Sequence, residues 1–98
     1  MAFEVVWSEP ALDDLESIRR YIANDNPVAA DRVVEAIFAV GDLLEGVPRL
    51  GPRYACGKPG EIRQTVSGKY RIFYEVREAE ENVRILTVRH GARQEPEL

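Results

Sequence analysis

Four basic residues, Arg71, Arg89, His90 and Arg93, converge on one end of a hairpin if the sequence around them folds as two paired strands. Arginine forks match carboxylates and phosphates, and an imidazole changes charge near neutral pH. Such a group suits an anionic ligand, or a proton transfer beside one. Arg63, just upstream, adds a fifth candidate contact. Taken singly, each arginine is explained as a surface charge balancing acid elsewhere; it is their convergence that points to function. Phe73, on the same strand face as Arg71, makes a groove a better expectation than a solvated surface.

Other chemistries lack their residues. There is no glycine-rich phosphate loop, no HExxH and no nucleophile elbow. One His and one Cys, with no acid placed by motif to orient either, do not build a thiol or serine triad. Cys56 is alone, so neither an intrachain disulfide nor a cysteine-based zinc site is expected, and no metal or cofactor is called for.

The elements that must position the basic group are legible from pattern. Residues 70–76 and 83–89 are rich in β-branched and aromatic types, and a short charged connection joins them. Tyr70, Ile72, Tyr74 and Val76 alternate against Arg71, Phe73 and Glu75. Residues 61–66 alternate likewise, and Ser67-Gly68 marks a tight turn. Upstream, residues 3–7 read as a strand because Ser8 is a strong N-cap and Pro10 fits a first helical turn. Trp7 and Leu12 then hold the positions of a hydrophobic staple.

Ala11, Leu15, Ile18 and Ile22 form the stripe of that first helix, with acids at its start and Arg19 and Arg20 near its end. Asn26 caps a second helix with Pro27 at its first position, running to about Glu45 with Gly46 as its stop. The second helix is apolar around more than half its girth; Val34 and Phe38 flank its main stripe. Residues 47–60 form a long loop rich in Pro and Gly, a kind usually functional or mobile. The predicted order is β-α-α-β-β-β: an α+β domain with a helical hairpin on one face of an antiparallel sheet.

At 98 residues the chain suits a single domain, 1–98, and its 45% apolar and 31% charged fractions are those of an ordinary globular protein. No apolar run is long enough to span a membrane, and the N-terminus lacks a signal peptide's pattern, so a cytoplasmic protein is expected. Net charge is −4, which argues against direct nucleic-acid binding. It is unevenly spread. Residues 1–45 hold three Arg and ten acids, whereas 82–94 hold three Arg and no acid. Two helices cover only one face of a sheet, so the face with Phe73, together with Leu86 and Val88 on the last strand, is expected to be partly exposed. Exposed apolar patches mark binding sites, and a partner's helix or strand would suit this one along with Val34 and Phe38.

Four fragments, VVWSEPALDDLESIRRYIANDNPVAADRV, PRLG, SGKYRIFYEV and VRILTVRHGAR, in this order and spacing, resemble the RelE/ParE superfamily of bacterial toxin–antitoxin modules. The resemblance covers nearly the full length. It implies a small α+β toxin neutralised by a co-expressed, ParD-like antitoxin that wraps it, in a higher-order hetero-oligomer. RelE-like members cleave mRNA on the ribosome and ParE-like members poison DNA gyrase. For the RelE-like activity the resemblance implies catalysis by Arg71, which follows Tyr70 as in the family's GYR element, and by Arg93, two places past Gly91. The family's lysine pair is absent, since the strand before offers only Arg63, and so is its late tyrosine. His90 would then carry proton transfer almost alone. The Asn24-Asp25-Asn26-Pro27 helix link and the HGAR ending resemble ParE better, which implies a gyrase inhibitor that is not an enzyme, associated with plasmid stabilisation. A ribosome-dependent endoribonuclease is the alternative, and a non-toxic binding module on the same scaffold a third. On the ParE reading, Arg63, Arg71, Phe73, Arg89, His90 and Arg93 are candidate contacts to target or antitoxin.

Overall fold

Ser8 and Asn26 start the two helices as their types dictate. In the computed structural model, which describes residues 3–91, 95, 96 and 98, strand β1 (Glu4–Trp7) ends at Ser8 and helix α1 (Glu9–Ala23) begins. The Ser8 hydroxyl accepts from the Ala11 N–H at 3.3 Å and itself donates to the Leu86 carbonyl at 3.1 Å. One side chain thus caps a helix and ties it to a strand far along the chain. Asn26 accepts from the Ala29 N–H at 3.1 Å to start helix α2 (Pro27–Leu43).

That helix stops two residues before the expected Glu45. Leu44, Glu45 and Gly46 each donate to the carbonyl three residues back, so the last turn tightens and turns the buried Leu44 inward. Trp7 packs on Phe38, ring centroids 4.8 Å apart, and leaves its staple partner Leu12 exposed. Gly41 makes room for the indole: a Cβ there would lie 2.4 Å from Trp7 Cζ2.

Strands β2 (Glu61–Ser67), β3 (Tyr70–Arg77) and β4 (Asn82–His90) complete a four-stranded sheet in the order β1-β4-β3-β2. The β2–β3 and β3–β4 pairs are antiparallel, whereas β1 lies parallel to β4 with Glu4 opposite Asn82 and Trp7 opposite Ile85. The sheet is therefore mixed rather than wholly antiparallel. No hairpin joins β1 to β4, and the helices carry the chain away from it as a crossover does, which is the connection parallel pairing requires.

A bulge in β4 changes which side chains face the helices. Phe73 pairs with Thr87 but Tyr74 pairs with Ile85, so Leu86 has no partner of its own. The extra residue shifts the alternation, and Val83, Ile85 and Val88 all join the core under α1 and α2. Val88, expected on the open face of the sheet, is only 2% exposed. Leu86 at the bulge is half-buried.

The opposite face is covered around Phe73, which corrects the expectation of an exposed Phe73, whereas Val66 on that face is exposed. The Phe73 side chain is 0% exposed and lies outside the main core, together with buried Ile62. Its cover is the loop. Tyr54 N–H donates to the Ile62 carbonyl at 2.8 Å, Gln64 N–H donates to the Pro52 carbonyl at 3.1 Å, and Arg53 bridges to Arg63, so the loop runs as a short extra strip along β2. Gly51 permits the approach, since a Cβ there would sit 1.8 Å from the Gln64 carbonyl oxygen. Its N–H donates to the buried Tyr74 hydroxyl at 2.9 Å and its carbonyl accepts from Arg63 at 2.8 Å. On α2, Val34 and Phe38 are half-buried, while Val28, Ala36, Ala39 and Leu43 are exposed.

Candidate functional site

Arg71 is the hub. Strand β3 presents it on the loop-covered face, two residues before Phe73, and its guanidinium lies over that ring at 4.8 Å from the centroid. Nε and Nη2 donate to Gln64 Oε1 at 3.1 and 2.8 Å. Nη1 and Nη2 then grip the two oxygens of Glu95 at 2.9 and 3.0 Å. The Tyr54 hydroxyl donates to the same Glu95 carboxylate, while its ring meets Phe73 edge-on at 4.9 Å.

The charges respond as this geometry requires. Hydrogen bonds from Arg71 and then Tyr54 hold the Glu95 carboxyl below the ordinary carboxylate range. The bond to Glu95, with burial second, pushes the Tyr54 phenol above its ordinary value. The same bond raises Arg71, so its charge is fixed at any physiological pH.

A second charged network braces the other end of the loop. Arg49 forks onto Glu61 at 2.9 and 3.0 Å and reaches Glu78 at 2.7 Å, and Arg63 donates to Glu61 at 2.6 Å. Burial alone would raise the Glu61 carboxyl, but the hydrogen bonds from Arg49 and Arg63 outweigh it and lower it. Arg63 is thus held by Glu61 and Gly51 and braces the loop.

The expected basic group meets at one end of the β3–β4 pair but is divided between the two faces of the sheet. Arg71 pairs across the strands with Arg89, and Tyr70 with His90, whose ring stands edge-on to Tyr70 at 5.4 Å. Arg89 Nε donates to Thr87 Oγ1 at 3.3 Å. Arg93 lies outside the described residues. An open groove of about 750 Å³ runs beside this end of the sheet, with Asp14 and Tyr21 of α1 on one side and Tyr70, Arg89 and His90 on the other. Asp14 closes the edge of β4 that β1 leaves unpaired, accepting the Val88 N–H at 3.0 Å and the Thr87 hydroxyl.

Tyr54, Gln64, Glu95 and Asp14 belong to the site and were missed by sequence reasoning. Only Tyr54 left a signal, as the one aromatic in a Pro/Gly-rich loop. Among the described residues, no three His, Cys, Asp or Glu side chains are grouped to hold a metal, and no helix is long and apolar enough to cross a membrane. The arrangement can hold a planar anion between an arginine fork and a phenol.

Comparison with known proteins agrees with this fold. The family model of the ParE toxin of type II toxin–antitoxin systems, parDE, matches residues 5–95. Toxin RelE2 of Caulobacter vibrioides is 38% identical over 90 residues, 92% of this chain and 97% of that protein. Among solved structures, the chromosomal ParDE toxin–antitoxin system of P. aeruginosa superposes with a TM-score of 0.73 at 21% identity, covering 91% of this chain and 96% of that one. The RelBE2 toxin–antitoxin complex of Mycobacterium tuberculosis gives 0.63 at 27% identity, covering 92% and 99%.

Proposed function

The chain belongs to the RelE/ParE superfamily as a toxin of a type II toxin–antitoxin system, and from that premise we propose that it inhibits DNA gyrase and is neutralised by a ParD-like antitoxin. The match to the ParE model along residues 5–95 carries this reading. The site supports it in one respect. The guanidinium groups of Arg63 and Arg71 are both engaged by carboxylates of the chain itself, and His90, paired with Tyr70, lies on the other face of the sheet from Arg71. A binding surface needs no more than that; phosphodiester cleavage does.

Controlled expression in bacteria, read simultaneously for plasmid supercoiling and for transcript cleavage, tests the reading. Lost supercoiling with intact ribosome-bound mRNA is the expected result. The name and identity of the Caulobacter RelE2 toxin favour the second reading, a ribosome-dependent endoribonuclease, and codon-spaced cuts would establish it. His90→Ala separates the two at residue level. A lost proton-transfer group costs about 100- to 10,000-fold in rate and no dose restores it, whereas a lost contact is overcome by more protein. His90→Ala is expected to remain toxic at raised expression.

A further inference from the structure

Glu95 and the donors that hold it differ in how firmly they are built. The Arg71 side chain is 17% exposed and Glu95's is 59% exposed. Arg71 is fixed independently of Glu95, by two hydrogen bonds to Gln64 Oε1 and by the face of Phe73. Tyr54 is fixed independently as well, by the Ile62 carbonyl and by its ring contact with Phe73. The receptor is therefore pre-organised, whereas its occupant is a solvent-facing side chain.

We propose that Arg71, Tyr54 and Gln64 form a carboxylate-binding site filled in cis by Glu95, and that an acidic side chain of a protein partner displaces Glu95 when it docks on this face of the sheet. Three donor bonds spread over two oxygens in a flat array match a carboxylate. A nucleic-acid phosphate fits less well: Glu75 follows Phe73 on the same side of β3, and the chain's net charge is −4. A tethered occupant competes at a high effective concentration, so a lone carboxylate in solution is rejected. A partner that brings further contacts is accepted, which makes Glu95 a filter for specificity. The identity of that partner as the antitoxin rests on the function proposed above; the carboxylate site itself does not.

The test follows the arginine Nε–H resonances of the full chain, in wild type and in Glu95→Gln, during titration with acetate and separately with methyl phosphate. Glu95→Gln alone is expected to move the Arg71 signal and lower the Tyr54 pKa. Acetate should then saturate the Arg71 and Tyr54 signals in the variant at concentrations that leave the wild type unmoved, with Arg49 unaffected in both. An unmoved Arg71 in the variant, or equal acetate responses, would overturn filling in cis; tighter binding of methyl phosphate than of acetate would overturn the assignment to a carboxylate. The product of the reading frame adjacent to the gene provides the second arm. It should bind Glu95→Gln up to about fivefold more tightly than wild type, the size expected for release of one exposed ion pair, and should bind Arg71→Ala more weakly. Equal affinity for all three overturns displacement by a partner. No binding to any of them refutes the antitoxin reading, while the acetate titration still decides the site.

Discussion

Ile72 and Phe73 are neighbours in one strand, both without exposed surface, and they are buried by different means. Ile72 faces the helices, in a cluster of aliphatic side chains with Tyr74 the one polar-tipped member among its fully buried residues. Phe73 faces a cover made of an arginine, a phenol and a loop strip pinned by backbone hydrogen bonds. The first kind of burial is non-directional and draws its strength from area removed from water. The second depends on a few oriented contacts, among them the Glu95 carboxylate pairing, which a competitor or a proton can release. One face of the sheet is therefore suited to hold the fold and the other to exchange partners.

Paired substitutions are the sharpest way to break this contrast. Ile72→Ala and Phe73→Ala should each cost about 2–5 kcal/mol in urea unfolding, since both empty a fully buried site. The difference should lie in where protection is lost. Hydrogen exchange should rise throughout the sheet and helices in Ile72→Ala, and first in the Tyr54 strip in Phe73→Ala. Equal loss everywhere in both would show the two faces to be one cooperative unit.

Gly51→Ala comes next in size. Its new methyl would run into the Gln64 carbonyl, so the strip must lift from β2 at a cost of about 1–3 kcal/mol. The Tyr54–Phe73 contact should go with it, visible as a loss of ring-current shift, with the Trp7–Phe38 contact on the helix side intact.

Acid should act first on the two charged networks that anchor the loop. The folded pKa values of Glu61 and Glu95 lie below their unfolded ones, so their contribution is complete above the ordinary carboxylate pKa. It is lost as pH falls through the depressed folded values. Below about pH 4, a range set by the ordinary carboxylate pKa, the Arg49 and Arg71 contacts should open in NMR spectra before the helix-side core responds. The smallest effect belongs to Glu95→Gln, which should leave the melting temperature unchanged within error and lower the Tyr54 titration midpoint measured by ultraviolet absorbance.

What the sequence revealed was local. Ser8 before Pro10 and Asn26 before Pro27 announce helix starts because a cap's whole chemistry lies within four residues. The alternation of residues 70–76 announced which side of β3 is aliphatic, and the pairing of Arg71 with Arg89 followed from joining two adjacent strands, while the same alternation sends His90 to the other face. The unpaired Leu86 could not be read, because a bulge adds a residue without changing composition, and it reversed the side assigned to Val88. Nor could the cover over Phe73. Arg71 and Glu95 are 24 positions apart, and no spacing rule connects them. Gly51 sits in a stretch that reads as an ordinary turn until Gln64 is seen pressed against it.

The parallel pairing of β1 with β4 also governs when the protein can exist. Ser8 bonds to Leu86, 78 positions later, and among the described residues β1 has no other strand beside it. A chain emerging from the ribosome can form its helical hairpin early from neighbouring residues, but the sheet closes only after β4 has been made. Both sides of the groove, α1 and the end of β4, meet at that same late step. A translating chain therefore lacks the finished surface until β4 has been made.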